Sequence, residues 1–204
     1  MAPTFDIERD LIARGYPIIA GVDEVGRGPI AGPVYAAAAI LDPNNIPEGL
    51  DDSKKLSETR RLKIETHIME TAQTALGICS VAEIDEHNIL RASHIAMVRA
   101  IQNLPAVPDF VLIDGNMTPR DLTLKSMTVI KGDARSQSIA AASIVAKNRR
   151  DYVMRDLAQQ FPGYGWETNM GYPTLRHKAA LVELGVTPHH RRSFKPVHNM
   201  LFQG

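Results

Sequence analysis

The chain has 204 residues, of which 44% are hydrophobic and 23% charged, a balance that suits one globular domain and excludes a disordered or fibrous protein. Its 23 Lys and Arg match 23 Asp and Glu, but 11 basic and 5 acidic residues lie from Lys131 onward, so a neutral chain carries a basic C-terminal third able to meet a polyanion. The longest apolar runs, such as Val34–Leu41, fall far short of the roughly 20 residues a membrane span needs, the acidic start MAPTFDIERD is not a secretory signal, and Cys79 is the single cysteine, which excludes an internal disulfide and points to a reducing cytoplasm.

Residues 17–23 read as an apolar strand closed by Gly26, Gly28 and Pro29, and residues 33–41 as a second strand that turns at Asp42-Pro43-Asn44-Asn45. Ser57 is placed to cap a helix reaching about Ala72. A third strand is expected over 75–81, then a single helical pattern over 82–104 with Ile89, Ala92, Ala96, Met97, Ala100 and Ile101 on one face. Residues 110–113 form a buried strand ending at Asp114-Gly115, and 122–130 another strand. A long helix follows over about 136–160, broken by Pro162-Gly163-Tyr164-Gly165, and a last helix over about 174–184 stops at Gly185. Strands and helices interleave without strict alternation, which predicts a mixed sheet with helices packed on it. Residues 1–160 are expected to form the core, and 161–204 a small helical segment packed on it within one domain.

Gly26-Arg27-Gly28-Pro29-Ile30-Ala31 matches the dinucleotide fingerprint. That fingerprint must open a helix to set its N-terminus against a pyrophosphate, and Gly32-Pro33 with the β-like run behind it prevents one. The acids are more informative. Asp23, Glu24 and Asp114 end apolar strands, and Asp133 lies between a strand and a helix. Each alone reads as a turn residue or helix cap; together, carboxylates at the mouths of apolar strands are costly to bury unless they bind a cation. An all-oxygen set suits Mg²⁺ or Mn²⁺, and two such ions about 3.5–4 Å apart serve phosphodiester hydrolysis. Adjacent strand residues point to opposite faces, so Asp23 and Glu24 can share a site only if the strand twists or ends there.

The blocks Asp23-Glu24-Val25-Gly26-Arg27-Gly28, Gly32-Pro33-Val34, residues 52–57 (DSKKLS), Ile113-Asp114-Gly115, Lys131-Gly132-Asp133, residues 138–147 (SIAAASIVAK), Arg150-Asp151, Gly171-Tyr172-Pro173-Thr174 and residues 190–194 (HRRSF) together resemble the ribonuclease HII family, in the family's order and over nearly the whole chain. The resemblance implies an α/β, ribonuclease H-like mixed five-stranded sheet with flanking helices and a C-terminal helical segment. It implies metal-dependent endonucleolytic cleavage of RNA in RNA–DNA hybrids and 5′ of single ribonucleotides in duplex DNA, leaving 3′-hydroxyl and 5′-phosphate ends. Asp23, Glu24, Asp114 and Asp133 would be the catalytic, metal-binding carboxylates. Gly26, Arg27 and Gly28 would read the ribonucleotide, Tyr172 would stack on the sugar at the junction, and Lys54 and Arg191, with Lys147 and Arg192, would hold phosphates. Asp151 would support the site or pair with an arginine. Val25 and Met170 depart from the family's usual alanine and lysine, and Met170 removes a cation near the duplex.

The tail His198-Asn199-Met200-Leu201-Phe202 resembles sliding-clamp docking motifs without their leading glutamine, and 201–204 also fits a protease-site remnant. A monomer is expected. A catalytically silent hybrid binder and a junction-resolving phosphotransferase are the competing readings: the complete acid set disfavours the first, the Gly-Arg-Gly loop and Tyr172 the second.

Overall fold

The computed structural model describes residues 2–202; the tail's Gln203 and Gly204 lie outside them. Five strands, β1 (Ile19–Val25), β2 (Val34–Ile40), β3 (Gln73–Cys79), β4 (Phe110–Asp114) and β5 (Ser126–Val129), form one sheet in the order β3-β2-β1-β4-β5. β1 runs antiparallel to β2 and β2 to β3, whereas β4 lies parallel to β1 and β5 parallel to β4. This is the mixed sheet the interleaved pattern predicts.

Two long helices sandwich it. α4 (Ile89–Gln102) covers one face, where Ala92, Ala96, Met97 and Ala100 meet Ala20, Val22, Val34, Ala36 and Ala38. α5 (Gln137–Gln160) covers the other, packing Ala140, Ala141, Ile144 and Val145 on Ala37 and Ala39. Small residues let both helices approach closely. A Cβ on Gly21 would stand 2.2 Å from the Ser138 carbonyl carbon, and one on Gly77 would stand 1.9 Å from the Ala96 oxygen.

Ser57 caps α2 (Glu58–Thr71) as expected, its side chain accepting the Arg60 N–H. The single helix expected over 82–104 is two, α3 (Val81–His87) and α4. Asn88 divides them at φ 67°, a conformation Asn tolerates, and its side chain accepts the Arg91 N–H to start α4. α3 begins earlier than expected because Ser80 and Glu83 form a reciprocal capping box, which ends the third strand at Cys79. The strand expected over 122–130 shrinks to β5; Leu122 and Leu124 precede it and pack on the core as loop residues.

α1 (Asp6–Ala13) has no clear signal in the sequence because its anchor is tertiary: buried Glu8 accepts the Ser136 hydroxyl at 2.6 Å and the Ser138 N–H at 3.0 Å. Beyond α5 come α6 (Trp166–Asn169), α7 (Leu175–Leu184) and α8 (Lys195–Phe202). Their core, built from Tyr164, Trp166, Ala180, Leu181 and Val197, includes Met154 and Leu157 of α5 and Ile30 and Ala31 of the β1–β2 loop. Among the described residues, no helix is long and apolar enough to cross a membrane.

Candidate active site

The acids gather at the C-terminal ends of β1 and β4. Parallel pairing sets Val22 beside Ile113, the residues immediately before Asp23 and Asp114. Strand alternation sends Asp23 toward α5, where Ser143 hydrogen-bonds its carboxyl, while Glu24 lines a cavity on the α4 side with Leu90, Ser93, His94 and Asp114. Pairing of β1 with β4 ends at Val22, so the two acids, although they point to opposite sides, both sit at one rim of the sheet. Asp114 links the halves: its charge acts on Asp23, Glu24 and Asp133. Its Oδ1 accepts the Gly132 N–H at 2.6 Å, which draws the Lys131-Gly132-Asp133 turn to the same rim.

The electrostatics are those of crowded anions. Burial, with repulsion from Glu24 and Asp114, raises the Asp23 carboxyl well above the usual range, and hydrogen bonds from Ser143 and the Glu24 N–H only partly offset this. Burial also raises Glu24, against an ion pair with Arg27 at 3.2 Å. Asp133 is raised by burial, Asp52 and Asp114. Lys54 is a second cation at the rim, beside Arg27. Partial burial pulls it down, but Asp23, Asp133, Asp52 and Asp114 together hold its ammonium above the ordinary lysine value.

The donor set is all oxygen, and the rim carries unbalanced negative charge, which fits a hard divalent cation. The carboxylates share a rim without closing on one point: among the described residues no three His, Cys, Asp or Glu side chains stand close enough to hold an ion as they are. Two contributors lie inside the motif blocks but carry no signal of their own in the sequence. Asp52 adds to the anionic field at Asp133 and Lys54, and Ser143, held by Ser53 at 3.0 Å, supports Asp23. Only their membership of those blocks could have marked them.

The Gly26-Arg27-Gly28 turn follows β1 directly. Arg27 and Gly28 are exposed, and Gly26 sits at φ 99°. Tyr172 lies across it, half-exposed, and a Cβ on Gly28 would meet Tyr172 Cε1 at 3.1 Å. Arg191 is the correction. Expected to hold a phosphate, it is fully buried. Its Nε–H donates to Gly32 O at 2.9 Å, Nη1 to Arg27 O at 3.1 Å, and Nη2 to Gly26 O at 2.6 Å and Pro33 O at 3.3 Å. A loop rich in Gly and Pro leaves carbonyls without strand partners, and this guanidinium satisfies them instead of reaching solvent. Lys147 is tied to Asp151, which also pairs with Arg61 at 3.3 Å in the packing of α2 on α5; Arg192 remains exposed.

Beneath Tyr172 lies a buried imidazole chain. The Thr187 N–H donates to His190 Nδ1 at 3.0 Å, so His190 carries its proton on Nε2 and donates to His177 Nε2 at 3.0 Å. Trp166 Nε1–H donates to the same His177 nitrogen at 3.0 Å, and His177 Nδ1–H to Tyr172 O at 2.9 Å. Burial, reinforced by His177 and His189, pushes His190 down to about 3. A folded value below the unfolded 6.5 gives stability that is complete above pH 6.5 and is lost as pH falls toward about 3. The melting temperature followed through Trp166, the one tryptophan, is expected to drop by about 5 °C or more across that window. His190→Gln should flatten the slope.

A mixed sheet ending in a rim of carboxylates beside a glycine-arginine turn defines a nuclease of the ribonuclease H fold class. The comparisons with known proteins agree. The family model described as Ribonuclease HII matches residues 20–197. The chain is 61% identical over 201 residues to "Ribonuclease HII" of Ruegeria sp. (strain TM1040), covering 98% of this chain and 88% of that one. It is 62% identical over 192 residues to "Ribonuclease HII" of Roseobacter denitrificans (strain ATCC 33942 / OCh 114), covering 94% and 97%. The ribonuclease H2 crystal structure from Pyrococcus horikoshii OT3 superposes with a TM-score of 0.79 at 28% identity, over 90% of this chain and 96% of that one. The chain therefore belongs to the ribonuclease HII family. It is an endoribonuclease, EC 3.1.26.4, that cleaves the RNA of RNA–DNA hybrids and acts at ribonucleotides embedded in DNA.

Proposed function

We propose that Asp23, Glu24, Asp114 and Asp133 hold the divalent cation, Mg²⁺ or Mn²⁺, on which this cleavage depends, and that the strand is cut 5′ of the ribonucleotide to leave 3′-hydroxyl and 5′-phosphate ends. The observation that carries the reading is the gathering of Asp23, Glu24 and Asp114 at the C-terminal ends of β1 and β4, with the Asp133 turn drawn to the same rim by the bond from the Gly132 N–H to Asp114. Acids that repel one another in a partly buried cluster are relieved by a hard cation. When bound, such a cation neutralises the phosphate and makes water a better nucleophile. A fold relative at 21% identity and TM-score 0.73 was solved as "Bst-RNase HIII in complex with Mn2+".

The remaining roles belong to the chain's own groups. Exposed Gly28 and the turn's backbone approach the ribose closely enough to read its 2′-hydroxyl, the one group that separates RNA from DNA. Arg27 leaves Glu24 to bind a phosphate. Lys54, fully charged among the acids, meets a phosphate oxygen at the same rim. Tyr172 lays its ring on the sugar beyond the ribonucleotide. The enzyme acts as a monomer in the cytoplasm.

The test is a duplex carrying one ribonucleotide. Nicking is expected with Mg²⁺ or Mn²⁺ and no nicking in chelator. Millimolar Mn²⁺ should also raise the melting temperature of the wild-type protein by several degrees, since a ligand at about 100 Kd stabilises by about 2.7 kcal/mol. Nicking that persists in chelator would refute the cation site. Tyr172→Ala should lower kcat/KM about 30-fold on the single-ribonucleotide duplex and only about 3-fold on a long hybrid; equal losses would make Tyr172 a packing residue.

The clamp-docking expectation for the tail has support in Leu201 and Phe202, which are exposed on α8, Phe202 at 70%. The Archaeoglobus fulgidus relative, 24% identical, was solved as a "PCNA:RNase HII complex".

A further inference from the structure

The structure assigns Arg150 as the residue that sets the spacing between the Gly26–Gly28 turn and Tyr172, and so the preference for a ribonucleotide–deoxynucleotide junction; the inference rests on the reading of that turn and Tyr172 proposed above. Arg150 is fully buried on α5, far from the carboxylate rim in sequence and without a carboxylate hydrogen-bonded to it among the described residues. Its donors go to backbone carbonyls of two different loops. Nε–H donates to Pro33 O at 3.0 Å and Nη2 to Ala31 O at 3.2 Å, both in the β1–β2 loop that begins with the Gly-Arg-Gly turn. Nη1 donates to Met170 O at 2.9 Å, two residues before Tyr172.

Three further observations make this a spacer rather than a filler. The first is contact with the reading turn itself: a Cβ on Gly26 would stand 2.2 Å from Arg150 Nε, so the turn rests directly on the guanidinium. The second is backbone strain. Met170 has φ 50°, an uncommon conformation for a residue other than Gly, Asn or Asp, and its carbonyl is the one Arg150 holds. The third is direct apposition of the loops. The Ile30 N–H donates to Gly171 O at 2.8 Å, and a Cβ on Gly171 would come within 2.5 Å of Ala31 O. A planar fork with donors on three sides holds both loops at one separation, whereas an ammonium on a flexible stem cannot reach all three carbonyls. Burial lowers the Arg150 guanidinium to about 10, so it keeps its charge at neutral pH.

Arg150 touches no reacting atom in this arrangement; it is a positioning residue. Its removal should misplace Tyr172 relative to Gly28 while leaving the acids in place. Arg150→Met is expected to lower kcat/KM about 30-fold on duplex DNA carrying one ribonucleotide, mainly through kcat, and about 3-fold on a uniform hybrid, with Arg150→Lys between wild type and Met on the first substrate. Arg150→Met combined with Tyr172→Ala should be no more than about 2-fold worse on the junction than Tyr172→Ala alone, because both act through one contact. Equal losses on the two substrates, or multiplied losses in the double variant, would overturn the assignment and reduce Arg150 to a stabilising core residue. Should Arg150→Met fail to fold, Arg150→Lys carries the same comparison: a selective loss at the junction supports the spacing role, and an equal loss overturns it. Tyr172→Ala run alone separates the two proposals. If its own loss is equal on both substrates, the Tyr172 reading fails; if its loss is selective and that of Arg150→Lys is not, the spacing role alone fails.

Discussion

Asp23→Asn is expected to abolish cleavage and, in chelator, to raise the melting temperature. The two effects have one cause. Asp23 is buried and faces Glu24 and Asp114, and Ser143, one backbone N–H and the Lys54 ammonium only partly offset its charge. Its carboxyl is therefore raised in the folded protein above the unfolded value. A raised carboxyl costs stability above its unfolded pKa, and the cost is fully developed once pH exceeds the folded value. Asparagine keeps the shape and hydrogen-bonding capacity without the charge, so the cation-free protein gains stability at neutral pH. Activity goes the other way. Removing one anionic donor from a cation site forfeits several kcal/mol of transition-state stabilisation, about 10³-fold or more in kcat. Asp114→Asn should be equally inactive, because Asp114 acts on the other three acids and also holds the Asp133 turn through the Gly132 N–H. Circular dichroism and thermal melting alongside the nicking assay check both halves. An active Asp23→Asn, or an inactive one that melts lower in chelator than wild type, would contradict this account of the rim.

Gly21→Ala is expected to be among the most damaging conservative changes in the fold, costing about 3 kcal/mol or more. The new methyl would stand 2.2 Å from the Ser138 carbonyl carbon and 2.3 Å from the Ile139 nitrogen, both backbone atoms that no side-chain rotation can move aside. α5 would have to lift from β1. The same helix carries Ser143 against Asp23 and Arg150 against the β1–β2 and Met170 loops, so whatever protein folds should also lose activity. Urea unfolding monitored by Trp166 measures the loss. A variant within about 0.5 kcal/mol of wild type would show that the sheet and helix have more slack than their small residues indicate.

Much of the site is legible in the chain itself because its signals are local. Strand ends, glycine-arginine turns and acids at the mouths of apolar runs are written in a few consecutive residues, as in Asp23-Glu24-Val25-Gly26-Arg27-Gly28 and Ile113-Asp114-Gly115. The segment 82–104 reads as one helix for the complementary reason: its apolar face runs through Asn88 almost unbroken, and the division into two depends on one backbone angle and one cap.

The sequence by itself determined the interleaving of strands and helices, the mixed sheet, and the placement of Asp23, Glu24 and Asp114 at strand ends beside a glycine-rich turn, since hydrophobic period and turn chemistry act between neighbours along the chain. Only the tertiary structure decided what the buried cations do. Arg191 and Arg150 look like any basic residues in a string, and a phosphate ligand and a clamp for loop carbonyls have the same composition. The difference lies in solvent access. Once packing removes water, a guanidinium must find acceptors within reach, and here the nearest are carbonyls of the β1–β2 and Met170 loops, with Ala31 standing 119 residues from Arg150 along the chain.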